Sequence, residues 1–422
     1  MCRSFVATCV LLLLAVPATA AKTTIEITVD AGKFARANDP VTVQLTLPKE
    51  FDKVQTVALR AGKDAAEVVG QLTAPGIGFD EKPPAEGKVA RELHFILPTL
   101  PAGASATFTA VLDTDVPDVK VGKDKVFHWN DTKGEAQQLD FGSTPVLRYV
   151  YKALDTSSKE KREETFKVYH HLFDPTGKQL VTKGPGGLYT HHRGIFYGFK
   201  DVTYGDNKKV DIWHCTKDTY QEHEKILSAE AGPVLGRHRV QIAWHGTTKD
   251  VFAHEERELT VYHLPGGTSV EFASRLKSTG GTVKLDGDPQ HAGFHFRAAQ
   301  EVADKTKAET TYTRPDGADE PGKTRNWPDK KDHVNLPWDA MSFVLGGQRY
   351  TVAYLDHPNN PKEARFSERD YGRFGSYFVT DVTEVKPLTV RYRLWLQAGT
   401  LSVAEAAALD NEFVTPVKVT VK

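Results

Sequence analysis

An all-β fold is predicted for this chain: a large antiparallel β-sandwich preceded by a small immunoglobulin-like β-domain. Three observations carry the prediction. Apolar and polar residues alternate one for one over many short runs, the pattern of half-buried strands. Thirty-three Gly and 23 Pro punctuate those runs across 422 residues. The 21 Phe, 14 Tyr and 6 Trp supply bulky side chains that suit a pleated surface.

Taken in order, residues 1–20 read as a signal peptide, with Arg3 as the positive region, an apolar run from Phe5 to Val16, and a small-x-small cleavage site at Ala18-Thr19-Ala20. That run is short for a membrane span and no other segment is apolar enough for one. The mature protein is therefore expected to be exported, periplasmic or extracellular, with no membrane span once the signal is removed. Residues 22–115 form the small β-domain: Ile25, Ile27 and Val29 alternate with polar neighbours, as do Val41, Val43, Leu45 and Leu47, then Leu93, Phe95 and Leu97, then Ala106, Phe108 and Ala110. About 90 residues in this rhythm fit an immunoglobulin-like module. Residues 116–144 read as a polar connector.

Residues 145–422 form the large sandwich. Ser342–Leu345 and Tyr350–Tyr354 flank Gly346-Gly347, a hairpin signal. Leu388, Val390, Tyr392, Leu394 and Leu396 alternate with polar residues. One short helix is predicted near the C-terminus, opening at Ser402 with Glu405 three residues on, a capping box.

Composition excludes some functions. Lys plus Arg number 54 against Asp plus Glu 55, so the chain lacks the basic surplus of a nucleic-acid binder. Cys2 and Cys9 lie in the signal, which leaves Cys215 alone and permits no internal disulfide in the mature chain. Fourteen of the 16 His fall between His128 and His333, which places the chemistry in the large domain.

Four motifs stand out there. Gly184-Pro185-Gly186-Gly187 leads into Tyr189, His191, His192 and Arg193; on a strand the two His would face opposite ways, whereas in a loop they could converge. In Asp288 to Arg297, strand parity puts His291, Gly293, His295 and Arg297 on one face and Ala292, Phe294 and Phe296 on the other. Arg365 to Gly375 interleaves Glu368, Arg369, Asp370 and Arg373 with aromatics in neither helix nor strand period; its carboxylates suit acid–base work or a structural ion-pair network. In Asp211-Ile212-Trp213-His214-Cys215, followed by Gln221-Glu222-His223-Glu224, Cys215 with its neighbouring His invites a zinc or thiol-nucleophile reading, but zinc needs three or four converging ligands and no Cys-x-x-Cys or His-Glu-x-x-His is present.

Tyr189–Gly194, Asp211–His214, Asp288–Arg297, Arg325-Asn326-Trp327 and Ser367–Gly375 together resemble an exported bacterial family of unknown function, typical of planctomycetes and related bacteria and labelled "methane oxygenase PmoA-like". The resemblance covers roughly residues 145–412. It implies a large β-sandwich, similar to the galactose-mutarotase-like supersandwich, in bacteria rich in carbohydrate breakdown. A methane oxygenase activity is not expected, because such a membrane subunit spans the bilayer several times and this chain has no such segments.

The function expected is an exported carbohydrate-processing enzyme that isomerises, eliminates or hydrolyses a saccharide. His191, His192 and His291 would act as acid, base or orienting groups, with Glu368 or Asp370 as the carboxylate. Tyr189, Arg193, Trp213, His214, Asp288, His295, Arg297, Trp327, Arg369 and Arg373 would bind substrate. These motifs are expected to meet within about 10 Å, the span of one sugar ring and its acid–base partners. A divalent metal held by histidines is the alternative cofactor arrangement, and a non-catalytic glycan-binding or scaffold protein the rival from another class.

Overall fold

The computed structural model describes residues 21–62, 66–78, 83–116 and 118–422; the predicted signal peptide lies outside the described residues. Seven antiparallel strands make the N-terminal sheet. Its alternating apolar residues, among them Ile27, Val43, Phe95 and Phe108, close on a core of their own. The seventh strand, Lys418–Val421, comes from the far end of the chain and pairs with Lys22–Asp30. The small domain is thus completed by the C-terminus.

The segment expected to be a connector differs from the prediction. Phe127–Thr132 and Ala136–Phe141 are strands, and they edge an eight-stranded sheet of the large domain. Their apolar residues are few and spaced by polar ones, two of which, Gln137 and Asp140, are buried, so the run reads as loop until its partner strands are known.

Three further sheets, of eight, four and nine strands, build the large antiparallel sandwich. Its main core lies between the eight- and nine-stranded sheets, where Tyr197, Phe272, Phe294, Phe296, Phe343 and Tyr392 pack. The predicted hairpin joins Trp338–Leu345 to Gln348–Asp356, with Gly346 and Gly347 both at positive φ, as a tight two-residue turn requires. Strand Leu388–Ala398 buries Val390, Tyr392, Leu394 and Leu396 on one face. Helix Val403–Val414 opens on the predicted capping box, Ser402 accepting from the Glu405 amide while Glu405 accepts from the Ser402 amide. Among the described residues no helix is long and apolar enough to cross a membrane.

The two domains are bolted together by buried polar contacts. Gln71 Oε1 accepts the amides of Val234 and Leu235, each at 3.0 Å. Arg237 reaches Glu92 at 2.8 Å, and the Ile77 amide donates to Glu258.

Candidate metal centre

The site is built on the outer face of the eight-stranded sheet. Strand Ala292–Arg297 sits beside Ile195–Phe199 and Arg373–Tyr377, with Phe196 opposite His295 and Phe296 opposite Phe374. Ala292, Phe294 and Phe296 enter the main core, so the intervening His295 and Arg297 must point to the other side. The expected parity therefore holds, but that face is covered: His295 and Arg297 are fully buried. Two glycines bring the segments close. A Cβ on Gly293 would lie 2.0 Å from the Ser376 carbonyl oxygen, and one on Gly194 would lie 2.1 Å from that of His170.

His191 and His192 stand in the loop that precedes Ile195–Phe199, and they do converge on one region. Their ring centroids are 4.3 Å apart. The His191 ring also lies 4.3 Å from that of His214, which lies 4.9 Å from that of His291. One ligand atom from each of His191, His214 and His291 falls within 4.8 Å of the others.

The second layer around these rings fixes their chemistry. His214 Nδ1 donates to Asp211 Oδ2 at 2.8 Å, and His291 Nδ1 donates to Asp288 Oδ1 at 2.8 Å. Each carboxylate holds the proton on Nδ1 and leaves the Nε2 lone pair free, the arrangement that orients metal-bound imidazoles. Burial, then the charge of Lys167 and the neighbouring rings, pushes His191 down to about 2, so this ring is neutral. Its Nε2 is buried and has no hydrogen-bond partner among the described residues. Burial alone would raise the Asp288 carboxyl, but bonds from His291, the Gln290 amide and Lys200 hold it below the usual carboxylate range.

Three converging imidazoles, two of them with carboxylate-backed Nδ1 protons, fit a divalent transition ion such as zinc. Tetrahedral ligation would set the nitrogens about 3.4 Å apart, so the rings need to close by roughly 1 Å or so. Such a set fills three positions and leaves one open, as catalytic sites do. The His214 and His291 side chains are 24% and 29% exposed, so the open position is reachable from solvent.

Lysine holds the loops in place. Lys167 Nζ donates to the carbonyls of His191 and Trp213, tying together the segments that carry two of the three histidines. Burial pushes Lys167 down to about 8. Lys183 Nζ donates to the carbonyls of Gly184, Tyr189 and His192. Tyr189 has φ of +55°, a left-handed backbone that a non-glycine residue adopts at a cost. Its ring is 47% exposed and packs against His192 and Tyr371. His192 beneath it is buried, with both ring nitrogens unpartnered, and stacks on Tyr371.

The third motif departs from expectation. Arg365–Arg369 and Arg373–Tyr377 are the two strands of a hairpin, with a turn at Asp370-Tyr371-Gly372. Arg373 faces the histidines, bonding His295 Nδ1 at 3.1 Å and Ser367 Oγ at 3.0 Å. Glu368 points the opposite way, between the sheets, and meets Arg314 at 2.6 Å, the Arg325 amide at 2.7 Å and His333 at 3.3 Å. Glu368 is therefore not the acid–base partner of the histidines. Asp370 caps the Tyr371 amide in the turn and forms no carboxylate pair with Glu368.

Other predicted residues separate in the same way. Trp213 and His295 line the floor, 4.7 Å apart, and Arg297 lies over the Tyr371 ring. Arg193 is a strut, donating to the carbonyls of Thr190 and Glu164 and stacking on Phe166. Arg369 is held by Asn326, and Trp327 packs on Arg365 rather than on the histidine rings. Cys215 is fully buried, its thiol pushed up by burial, which fits a packing role.

His333, Asp339 and Glu368 also bring donor atoms within 4.8 Å, but the Arg314 guanidinium already supplies the cation there. Sequence reasoning missed Lys167 and Lys183 as parts of the site, and it gave Asp211 no role of its own. A signal for Asp211 was present: Asp211-Ile212-Trp213-His214 and Asp288-Pro289-Gln290-His291 share one D-x-x-H spacing.

No curated protein matches the chain. Among solved structures it is similar to a protein in the glycosyl hydrolase family 38 from Enterococcus faecalis, with TM-score 0.43 and 9% identity over 94% of this chain and 47% of that one. It is also similar to an alpha-mannosidase from Enterococcus faecalis V583, with TM-score 0.40 and 10% identity over 94% of this chain and 46% of that one. The chain spans about half the length of both, and likenesses this distant carry no activity across. The profile of one family covers residues 136–410, the strands and loops that carry the three histidines, both aspartates and the Glu368 hairpin. The chain belongs to that family, described as "Family of unknown function (DUF6807)".

Proposed function

We propose that the protein is an exported, metal-dependent enzyme acting on a saccharide. One observation carries the reading: three histidine nitrogens within 4.8 Å of one another, two of their rings set by aspartates and the third neutral and without a partner. His191, His214 and His291 would hold a divalent ion, which would supply Lewis-acid polarisation of a substrate oxygen. The exposed ring of Tyr189, packed beside His192 and Tyr371, offers an apolar face on which a sugar ring stacks. His192 is the proton acceptor of this reading. Its ring lies 4.3 Å from that of His191, and both of its nitrogens are without a partner among the described residues.

The test has two stages. Protein stripped with EDTA is titrated with Zn²⁺, Co²⁺ and Mn²⁺, and the stoichiometry is read by calorimetry and elemental analysis; about one ion per chain is expected. A panel of oligosaccharides and oxidised sugars is then assayed for product with and without the ion. Absence of ion binding, or turnover indifferent to chelation, overturns the metal reading. Tight glycan binding with no product from any member of the panel favours the non-catalytic rival.

A further inference from the structure

The floor beneath the three histidines is crowded with positive charge. Lys167, Lys183, Arg193, Arg297 and Arg373 are each at most 4% exposed. None of the five makes an ion pair among the described residues; their partners are main-chain carbonyls, a serine hydroxyl and a histidine nitrogen. The nearby aspartates are already engaged, Asp211 by His214 and Asp288 by His291 and Lys200. A divalent ion would add to this excess. Buried charge without compensation is costly, and neutral carbonyls do not cancel it.

The free donors have a shape as well as a sign. Arg297 uses Nη1 for the carbonyls of Ala298 and Tyr371, while its Nε and Nη2 have no acceptor. Those two atoms form one whole edge of the planar guanidinium, the edge that grips a carboxylate through two parallel hydrogen bonds. Arg373 Nε is free as well. Arg297 stacks on Tyr371, Tyr371 on His192, and His192 lies against His191, so the guanidinium is linked to the centre by contiguous rings.

We propose that the ligand of the three-histidine centre is a sugar acid, a uronic or aldonic acid whose carboxylate pairs with the free edge of Arg297. The inference rests on the reading above only for its location. Arg297 is buried under Tyr371, which packs against the exposed Tyr189, so a carboxylate that pairs with it must displace these rings.

Neutral isosteres give the sharpest test. Glucuronate and galacturonate are titrated by calorimetry against their methyl esters, and against glucose 6-sulfate, with zinc-free and zinc-loaded protein. The acids are expected to bind at least about tenfold more tightly than the esters, since a charge-assisted bidentate pair replaces a neutral contact. In Arg297→Lys, which keeps the charge and removes the fork, that preference falls to about threefold or less. Arg297→Gln, checked for an unchanged circular dichroism spectrum, abolishes it.

Equal binding of acid and ester, or no binding of either acid, overturns the proposal. Binding of the sulfate as tightly as the uronates overturns the carboxylate assignment. Zinc titrated without sugar separates the two readings. Zinc binding without acid preference sinks this inference alone, and acid preference without zinc binding sinks the metal reading alone.

Discussion

Replacing Asp211 by Asn tests whether the three rings are ligands. The carboxylate does two jobs: Oδ1 accepts the amides of Trp213 at 3.0 Å and His214 at 2.7 Å, and Oδ2 accepts His214 Nδ1 at 2.8 Å. Asparagine keeps a carbonyl oxygen for the two amides, so the turn survives. Its NH₂ group then faces His214 Nδ1, which must turn into an acceptor. The ring proton moves to Nε2, the atom needed for the metal. Loss of such a second-layer partner lowers affinity by about 10–100-fold, or about 1.4–2.7 kcal/mol. Asp288→Asn should act in the same way on His291; its added loss of the Lys200 pair is small, because both groups there are more than a third exposed. The assay is competition for Zn²⁺ against a chromogenic chelator at pH 7.5, with melting of the metal-free proteins as a control for folding. If Asp211→Asn and His191→Ala both bind zinc within about threefold of wild type, the centre is no metal site and the reasoning fails.

Two further outcomes follow from buried polar groups elsewhere. Neither oxygen of Asp339 has a well-formed hydrogen bond, and burial, then the neighbouring Glu368 carboxyl, pushes its own carboxyl well above the ordinary value. Its unfolded counterpart ionises near pH 4, so this acid makes the wild type less stable as pH rises from there through the raised folded value, by up to about 1.4 kcal/mol per pH unit. Asp339→Asn lacks that slope and should gain on wild type in urea melts from pH 5 to pH 9; a difference independent of pH refutes the assignment. Gln71→Ala leaves the amides of Val234 and Leu235 buried and unpaired, a loss of about 2–4 kcal/mol in chemical denaturation. A change below about 0.5 kcal/mol would mean that water or a shifted loop replaces the glutamine.

The elements legible in the sequence are those whose signal is local. Alternation in Leu388–Ala398, paired glycines at 346–347 and the Ser402–Glu405 box each determine structure within a few residues, and each is found where expected. The connector failed for the opposite reason. Phe127–Thr132 is a strand because Ala136–Phe141 pairs with it and Thr144–Val150 pairs with that, and its own residues are too polar to announce it. The histidine motifs were found because His and Arg beside glycine are rare on solvent faces, but their partners, Lys167 and Lys183, look like ordinary surface lysines until burial is known.

The displaced carboxylate is the more instructive failure, because parity contained the answer. Phe366 and Glu368 are two apart, so in a strand they share a face. Phe366 is apolar and belongs to the main core, which commits Glu368 to the core side and Ser367 to the histidine side. The dense charge of residues 365–373 obscured this, since a core-facing glutamate contradicts the usual inside–outside rule. A carboxylate there needs a cation from the facing sheet, and Arg314, at the end of strand Thr311–Arg314, is itself buried and supplies it. The acid–base role then falls to a group on the other face. Of the predicted catalytic residues, His192 is the one that stands beside the three converging rings with both nitrogens unengaged. One strand thus separates two polar systems, a closed ion-pair network that holds the sheets together and an open histidine centre that can take a ligand.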